Sequence, residues 1–217
     1  MHIRFGEPAS GSMGSACVIR GLDLVLATLG ALVLSPVMAI IAAAIWLGDR
    51  GPVLFRQARV GRGGRHFTIL KFRSMSVTDS MSANSQGIVA GGDPAAARHA
   101  FQTTVKNDPR ITPIGRILRA SHLDELPQLF NVVAGDMSLV GVRPDTPSQQ
   151  ADYDPAYWIE RHSLRPGITG PAQIAGSETG LAGRTARERE WLNSPTVGRY
   201  FSTLVATVGK VFKRTSF

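Results

Sequence analysis

Asp124 and Glu125 are adjacent carboxylates set between a basic run and a proline, in Ser121-His122-Leu123-Asp124-Glu125-Leu126-Pro127. Arg116 and Arg119 precede them and Arg143 follows. A carboxylate pair flanked by cations sits where a basic chain could bring an anionic substrate, which makes it a candidate reaction centre. The same residues also suit a plain helix start. Ser121 with an acid three residues on resembles a capping box. Pro127 fits the first turn of a helix whose apolar stripe is Leu126, Leu129, Phe130 and Val133. On local sequence alone, capping is the commoner explanation. Unpaired N–H groups at such a start favour anions, whether these carboxylates or a bound phosphate.

The whole chain limits what that pair can serve. Its 217 residues suffice for one domain with a sizeable core, or one domain with a small appendage. With 24 Lys and Arg against 16 Asp and Glu, the formal charge of +8 favours anionic partners: nucleic acid, an acidic membrane or phosphorylated substrates. Cys17 is the sole cysteine, so no internal disulfide framework can form. None of the five histidines (His2, His66, His99, His122 and His162) stands at metal-ligand spacing, which argues against zinc. No basic strand set interleaved with aromatics and no recognition helix supports nucleic-acid binding, and that reading gives the apolar segment below no purpose.

Residues 1–16 are rich in Gly, Ser and Pro and read as a flexible tail. Residues 17–50 hold the most apolar stretch, Leu22 to Leu47. As one straight helix it would rise about 39 Å, enough to cross a bilayer. Asp23 lies at its start and Asp49-Arg50 just past its end. Pro36, near the middle, removes the hydrogen bond to the Leu32 carbonyl, and the Ser35 hydroxyl is placed to compensate. A kinked re-entrant helix and a bent transmembrane helix fit these residues equally. Arg20 before the segment and Arg50, Arg56, Arg59 and Arg62 after it put both ends on the cytoplasmic side, which favours re-entry. The run is too long for a cleavable signal peptide.

The elements that must position the pair follow. Residues 51–78 predict a β-hairpin, with GPVLF and HFTILKFRSM flanking a turn at Gly61-Arg62-Gly63-Gly64. Lys71 and Arg73 would project to one face of the second strand. Residues 78–102 read as a flexible insertion, and Arg184 to Leu192 as a solvated helix face. Over residues 196–217, Phe201, Leu204, Val205 and Val208, with Val211 or Phe212, form one stripe. Arg199, Lys210, Lys213 and Arg214 add basic charge. This suits either an amphipathic helix on an anionic membrane or a terminal helix packed on the core. The expected fold is α+β: a mostly helical small domain over residues 51–195 with a short β-hairpin, anchored by the kinked helix and by interfacial helices.

The chain resembles the small monotopic bacterial phosphoglycosyl transferases, the bacterial sugar transferase family. The matching stretches are Asp23 and Ser35-Pro36, GPVLFRQARVGRGG, FTILKFRSM, KNDPRITPIGRILRASHLDELPQLFNVVAGDMSLVGVRPD and RPGITG, covering most of residues 20–176. The resemblance implies a re-entrant helix bent at Ser35-Pro36, with the catalytic domain on the cytoplasmic face of the bacterial inner membrane. It implies transfer of a sugar-1-phosphate from a UDP-sugar to polyprenyl (undecaprenyl) phosphate, with release of UMP. It also implies Mg²⁺ and a covalent aspartyl intermediate on an Asp124-Glu125 dyad. On this reading Asp124 attacks phosphorus and Glu125 holds Mg²⁺. Lys71 and Arg119 screen phosphate oxygens, while Arg73 supports them or pairs with a carboxylate. Arg143 and Pro144 wall the uridine or phosphate, unless Arg143 is spent on a salt bridge with Asp136 or Asp145. The large N-terminal membrane domain of some relatives is not expected, and a homodimer is left open. His122, Pro171 and the insertion depart from the family pattern, which leaves the sugar open. The competing reading is a non-catalytic basic scaffold at the membrane.

Overall fold

The computed structural model describes residues 13–76, 108–175 and 180–212. The expected insertion at 78–102 and most of the expected tail lie outside the described residues.

Helix α1 spans Met13–Asp49 and so takes in the end of the expected tail. It is continuous through Pro36. The Leu32 carbonyl, which Pro36 deprives of its N–H partner, accepts the Ser35 hydroxyl at 2.8 Å. Ile19, Asp23, Ala27, Met38, Ile41 and Ile45 are buried, with Ala31 and Leu34 partly so, at the three- and four-residue steps of a helix face. That face packs on the rest of the molecule along its whole length. Full burial of side chains such as Met38, Ile41 and Ile45 is worth about 1.5–3 kcal/mol each. Val25, Leu29, Leu32, Val33, Ile40 and Leu47 lie exposed.

Asp23 sits inside that stripe as a clasp. Its Oδ1 accepts the Ser138 hydroxyl at 3.0 Å, the Leu139 N–H at 2.9 Å and the Tyr200 hydroxyl at 2.9 Å. The Arg20 guanidinium donates to the carbonyls of Val132 and Val133, at 2.8 and 3.2 Å. A buried carboxylate is tolerated when its oxygens are satisfied in this way.

Strands β1 (Leu54–Val60) and β2 (His66–Phe72) form the expected antiparallel hairpin, in register from Leu54 opposite Phe72 to Val60 opposite His66. Helix α2 (Pro113–Ser121) starts at Thr112, whose hydroxyl accepts the Gly115 N–H at 3.0 Å. A Cβ on Gly115 would stand 2.0 Å from the Ser74 carbonyl oxygen, so only glycine lets α2 sit this close to the end of the hairpin. His122 then turns the chain with φ 58°, and a 3₁₀ turn at Leu123–Glu125 leads through Pro127 into α3 (Gln128–Ala134).

A parallel strand pair, β3 (Ser138–Val140) and β4 (Gly167–Thr169), was not foreseen from the sequence. Three residues per strand are too few to display a period. Between and after these strands lie α4 (Pro155–Arg161), α5 (Pro171–Ala175), α6 (Gly180–Asn193) and α7 (Val197–Phe212). The fold is mostly helical, as expected.

Helix α6 corrects one reading. Its alternating charges are not all solvated: Glu188 is buried, as are Trp191 and Leu192. The burial is sustained by Arg161, which ion-pairs with Glu188 from α4. Helix α7 packs one side of the C-terminal stripe on the core and leaves the other side exposed. Tyr200 and Thr203 are buried and Leu204 packs on the core, while Phe201, Val205 and Val208 stay exposed.

Candidate active site

Asp124 and Glu125 occupy the 3₁₀ turn between α2 and α3. The capping expectation does not hold. The Ser121 hydroxyl points back along its own helix to the carbonyls of Ile117 and Leu118, at 2.7 and 3.2 Å. Neither the 3₁₀ turn nor α3 has a side-chain cap. The carboxylates are therefore not spent on helix ends.

The hairpin brings the first cation. Asn131, buried on α3, accepts the Leu70 N–H at 2.9 Å and donates to the Thr68 carbonyl at 2.8 Å. One side chain thus satisfies part of the β2 edge and docks the strand onto α3. The next residue along the strand, Lys71, reaches Glu125 Oε1 at 2.6 Å, with side-chain exposures of 15% and 17%. Arg143 approaches the same oxygen at 3.7 Å and is 47% exposed. Its alternative partner Asp145 is instead held by Arg161, and no ion pair joins Arg143 to Asp136 among the described residues.

Burial by itself would raise the Glu125 pKa. Lys71 and Arg143 outweigh it and hold the carboxyl below its ordinary value. Burial pulls the Lys71 ammonium down, Glu125 opposes this and Arg143 adds to it. Asp124 behaves differently. Burial and the neighbouring Glu125 raise its pKa against the opposing pull of Lys71, Arg119 and His122. Among the described residues no hydrogen bond or ion pair engages its carboxylate.

Arg119 is fixed by donation from Nε to the Ser74 hydroxyl at 2.8 Å, and its charge acts on Asp124. For Arg73 the second alternative, pairing with a carboxylate, is the one found, and the carboxylate is outside the dyad. Its N–H still pairs with the Val53 carbonyl at 2.9 Å, one step beyond β2, and its side chain ion-pairs with Asp49 at the end of α1. It is buried, and no hydrogen bond or ion pair joins it to either dyad carboxylate. Pro144 is buried, and its carbonyl accepts from Arg59 at 2.9 Å. Arg59 was read from the sequence only as a flanking charge. Its place in β1, two residues from the buried Gln57, was the available sign that it faces inward.

Among the described residues no three metal-ligating side chains cluster. Glu125 and Asp124 are the side chains here that could hold a Mg²⁺ ion, which takes one or two carboxylates with substrate phosphates and water. The arrangement joins one ionised, clamped carboxylate to one unengaged carboxylate in a cationic surround. Such an arrangement can hold an anionic ligand beside a carboxylate that is free to react.

The family model described as bacterial sugar transferase matches residues 14–214. The chain is 44% identical over 170 residues to the undecaprenyl-phosphate glucose phosphotransferase of Komagataeibacter xylinus, covering 76% of this chain and 29% of that protein. It is 38% identical over 198 residues to the UDP-glucose:undecaprenyl-phosphate glucose-1-phosphate transferase of Caulobacter vibrioides, covering 87% and 67%. It is 40% identical over 161 residues to the UDP-N-acetylgalactosamine-undecaprenyl-phosphate N-acetylgalactosaminephosphotransferase of Aeromonas hydrophila, covering 73% and 34%. The match thus spans about a third or less of the Komagataeibacter and Aeromonas proteins.

Proposed function

The chain belongs to the bacterial sugar transferase family, and from this we propose that it transfers a sugar-1-phosphate from a UDP-sugar to polyprenyl phosphate, releasing UMP. The observation that carries the reading is the contrast within the dyad. Glu125 is clamped by Lys71 at 2.6 Å, while Asp124 beside it has no hydrogen bond or ion pair among the described residues.

Asp124 Oδ attacks the phosphorus that bears the sugar. The bond from that phosphorus to the bridging oxygen breaks, and its electron pair leaves with UMP. The aspartyl phosphosugar then meets polyprenyl phosphate. A phosphate oxygen of the lipid attacks the same phosphorus, the aspartyl O–P bond breaks and the carboxylate returns. Both nucleophiles are anions, so neither step needs a general base. The obstacle is repulsion between the anions, which Lys71, Arg119 and Arg143 reduce. Glu125 would hold Mg²⁺ together with the diphosphate, and the ion would supply further charge neutralisation on its oxygens. One phosphoanhydride replaces another, so ATP is not required.

The packing of α1 supports attachment to one leaflet with the catalytic domain on the cytoplasmic face of the inner membrane. Its buried stripe from Ile19 to Ile45 lies on the domain throughout. A perpendicular span of about 39 Å would draw that domain into the bilayer. The exposed apolar residues of α1 and of α7 are then the surfaces that meet lipid. Relatives named for glucose and for N-acetylgalactosamine leave the sugar to experiment.

Purified protein in nanodiscs, given Mg²⁺, undecaprenyl phosphate and a panel of UDP-sugars, should release UMP with at least one sugar. With UDP-sugar alone, intact-protein mass spectrometry should find a sugar-phosphate adduct on Asp124. A chain that binds membrane yet releases no UMP with any UDP-sugar would be the scaffold instead.

A further inference from the structure

The segment Arg143-Pro144-Asp145 is pinned at every carbonyl, each by a different group. The Arg143 carbonyl accepts Nη2 of Arg161 at 2.9 Å. The Pro144 carbonyl accepts Nη1 of Arg59 at 2.9 Å. The Asp145 carbonyl accepts the Val60 N–H at 2.9 Å. The Asp145 side chain ion-pairs with Arg161, which is 1% exposed at its side chain. Only the Arg143 side chain is left reaching outward, and it reaches Glu125.

We propose that Arg59 is a positioning residue: its strut to the Pro144 carbonyl, backed by Arg161 on the Arg143 carbonyl, aims Arg143 at the dyad and at the diphosphate bound there. The kinetic part rests on the reading above. The structural part does not.

The hairpin then delivers two cations by different routes. Lys71 on β2 touches Glu125 directly, and Arg59 on β1 acts through the segment that carries Arg143. Arg59 is itself held, donating Nη2 to Gln57 Oε1 at 2.6 Å. The planar fork serves the two acceptors with separate nitrogens, Nη1 and Nη2, in one fixed geometry. Its Nε is buried and has no partner among the described residues. Buried donors are normally satisfied, so a residue selected for stability alone would not be expected to leave one open. Burial and the nearby Arg143 pull the Arg59 pKa down to about 10, while Asp145 and Glu125 pull it up.

The test compares wild type, Arg59→Met, Arg59→Lys, Arg143→Ala and the Arg59→Met/Arg143→Ala double variant in nanodiscs. Arg161 is avoided because removing it would expose two buried carboxylates. Arg59→Met should lower kcat/KM for the UDP-sugar roughly tenfold, mostly through KM. Arg59→Lys should restore part of it. The double variant should match Arg143→Ala within about twofold, because the strut has nothing left to aim. Losses that multiply would overturn the proposal. Hydrogen exchange gives the second arm and needs no turnover. The peptide over residues 138–150 should exchange faster in Arg59→Met and stay at the wild-type rate in Arg143→Ala. Unchanged exchange in Arg59→Met would overturn the proposal even if the wild type released no UMP, an outcome that would separately sink the proposed function.

Discussion

Two clusters of carboxylates and cations lie on either side of the segment 143–145, and they are built to opposite ends. Behind it, Asp145, Arg161 and Glu188 form a sealed cluster. Arg161 meets both acids, Arg184 reaches Glu188 at 3.0 Å, and the Tyr157 hydroxyl donates to Glu188 as well. In front of it, the dyad is only partly enclosed, and its cations outnumber its satisfied acids. Lys71 and Arg143 share one Glu125 oxygen, while Asp124 has no such partner among the described residues. A closed network spends its charges on rigidity. An open one keeps them for a ligand. The residue types are the same, so composition cannot separate the two roles. Satisfaction can.

The largest expected effect tests the open side. Asp124→Asn removes the nucleophile and should lower UMP release by roughly 10³-fold or more. Its thermal midpoint should hold or rise, since the carboxyl has no partner to lose and lies beside Glu125. A midpoint that fell with the activity would make Asp124 structural and erase the contrast. Glu188→Leu asks the converse. Breaking one side of a buried pair costs about 3–5 kcal/mol. Chemical denaturation should report that loss, while turnover at low temperature should stay near the wild-type rate.

These two clusters also mark where the sequence was readable. Lys71 beside Glu125 could be anticipated from strand alternation, whereas the local sequence of the dyad favoured a cap and only the family resemblance pointed to chemistry. The Ser35 hydroxyl on the Leu32 carbonyl could be read because it is local to the Pro36 defect. Glu188 was misread as solvated because its partner Arg161 lies 27 residues away, and no local pattern announces a pairing across two helices. Arg73 could be read only as far as its two alternatives, because its partner Asp49 lies 24 residues away on another element. The Ser121 motif allowed two hydrogen bonds, and the hydroxyl took the one along its own helix. Arg59 escaped notice because its task is set by a carbonyl 85 residues away.

A smaller effect is expected where the two sides of the dyad differ. Lys71→Met takes away the clamp and leaves Glu125 with the more distant Arg143. Binding and aspartyl formation should both weaken, by roughly 10²-fold in kcat/KM, as when an electrostatic partner of a developing anion is lost. Arg143→Ala should lose less, because that side chain is 47% exposed and solvent screens it. The reverse order would mean that Arg143, rather than Lys71, holds the diphosphate.

The finest distinction is in pH. The Asp124 pKa is raised above its ordinary value, mainly by burial. The protonated, non-nucleophilic form therefore persists to higher pH than in an exposed aspartate, and turnover should begin to fall on acidification earlier than an ordinary carboxylate would dictate. Glu125 is shifted the other way, so it stays ionised through that range. The acid limb of kcat/KM for adduct formation then belongs to Asp124. Arg119 lowers the Asp124 pKa, so Arg119→Met removes a pull toward the ionised form. The acid limb should move to higher pH in that variant, on top of any uniform loss of rate. A limb that stayed in place would mean that the titrating group is elsewhere. A limb that moved to lower pH would mean that Arg119 acts on Asp124 with the opposite sign, and that the open cluster is not organised around this carboxylate.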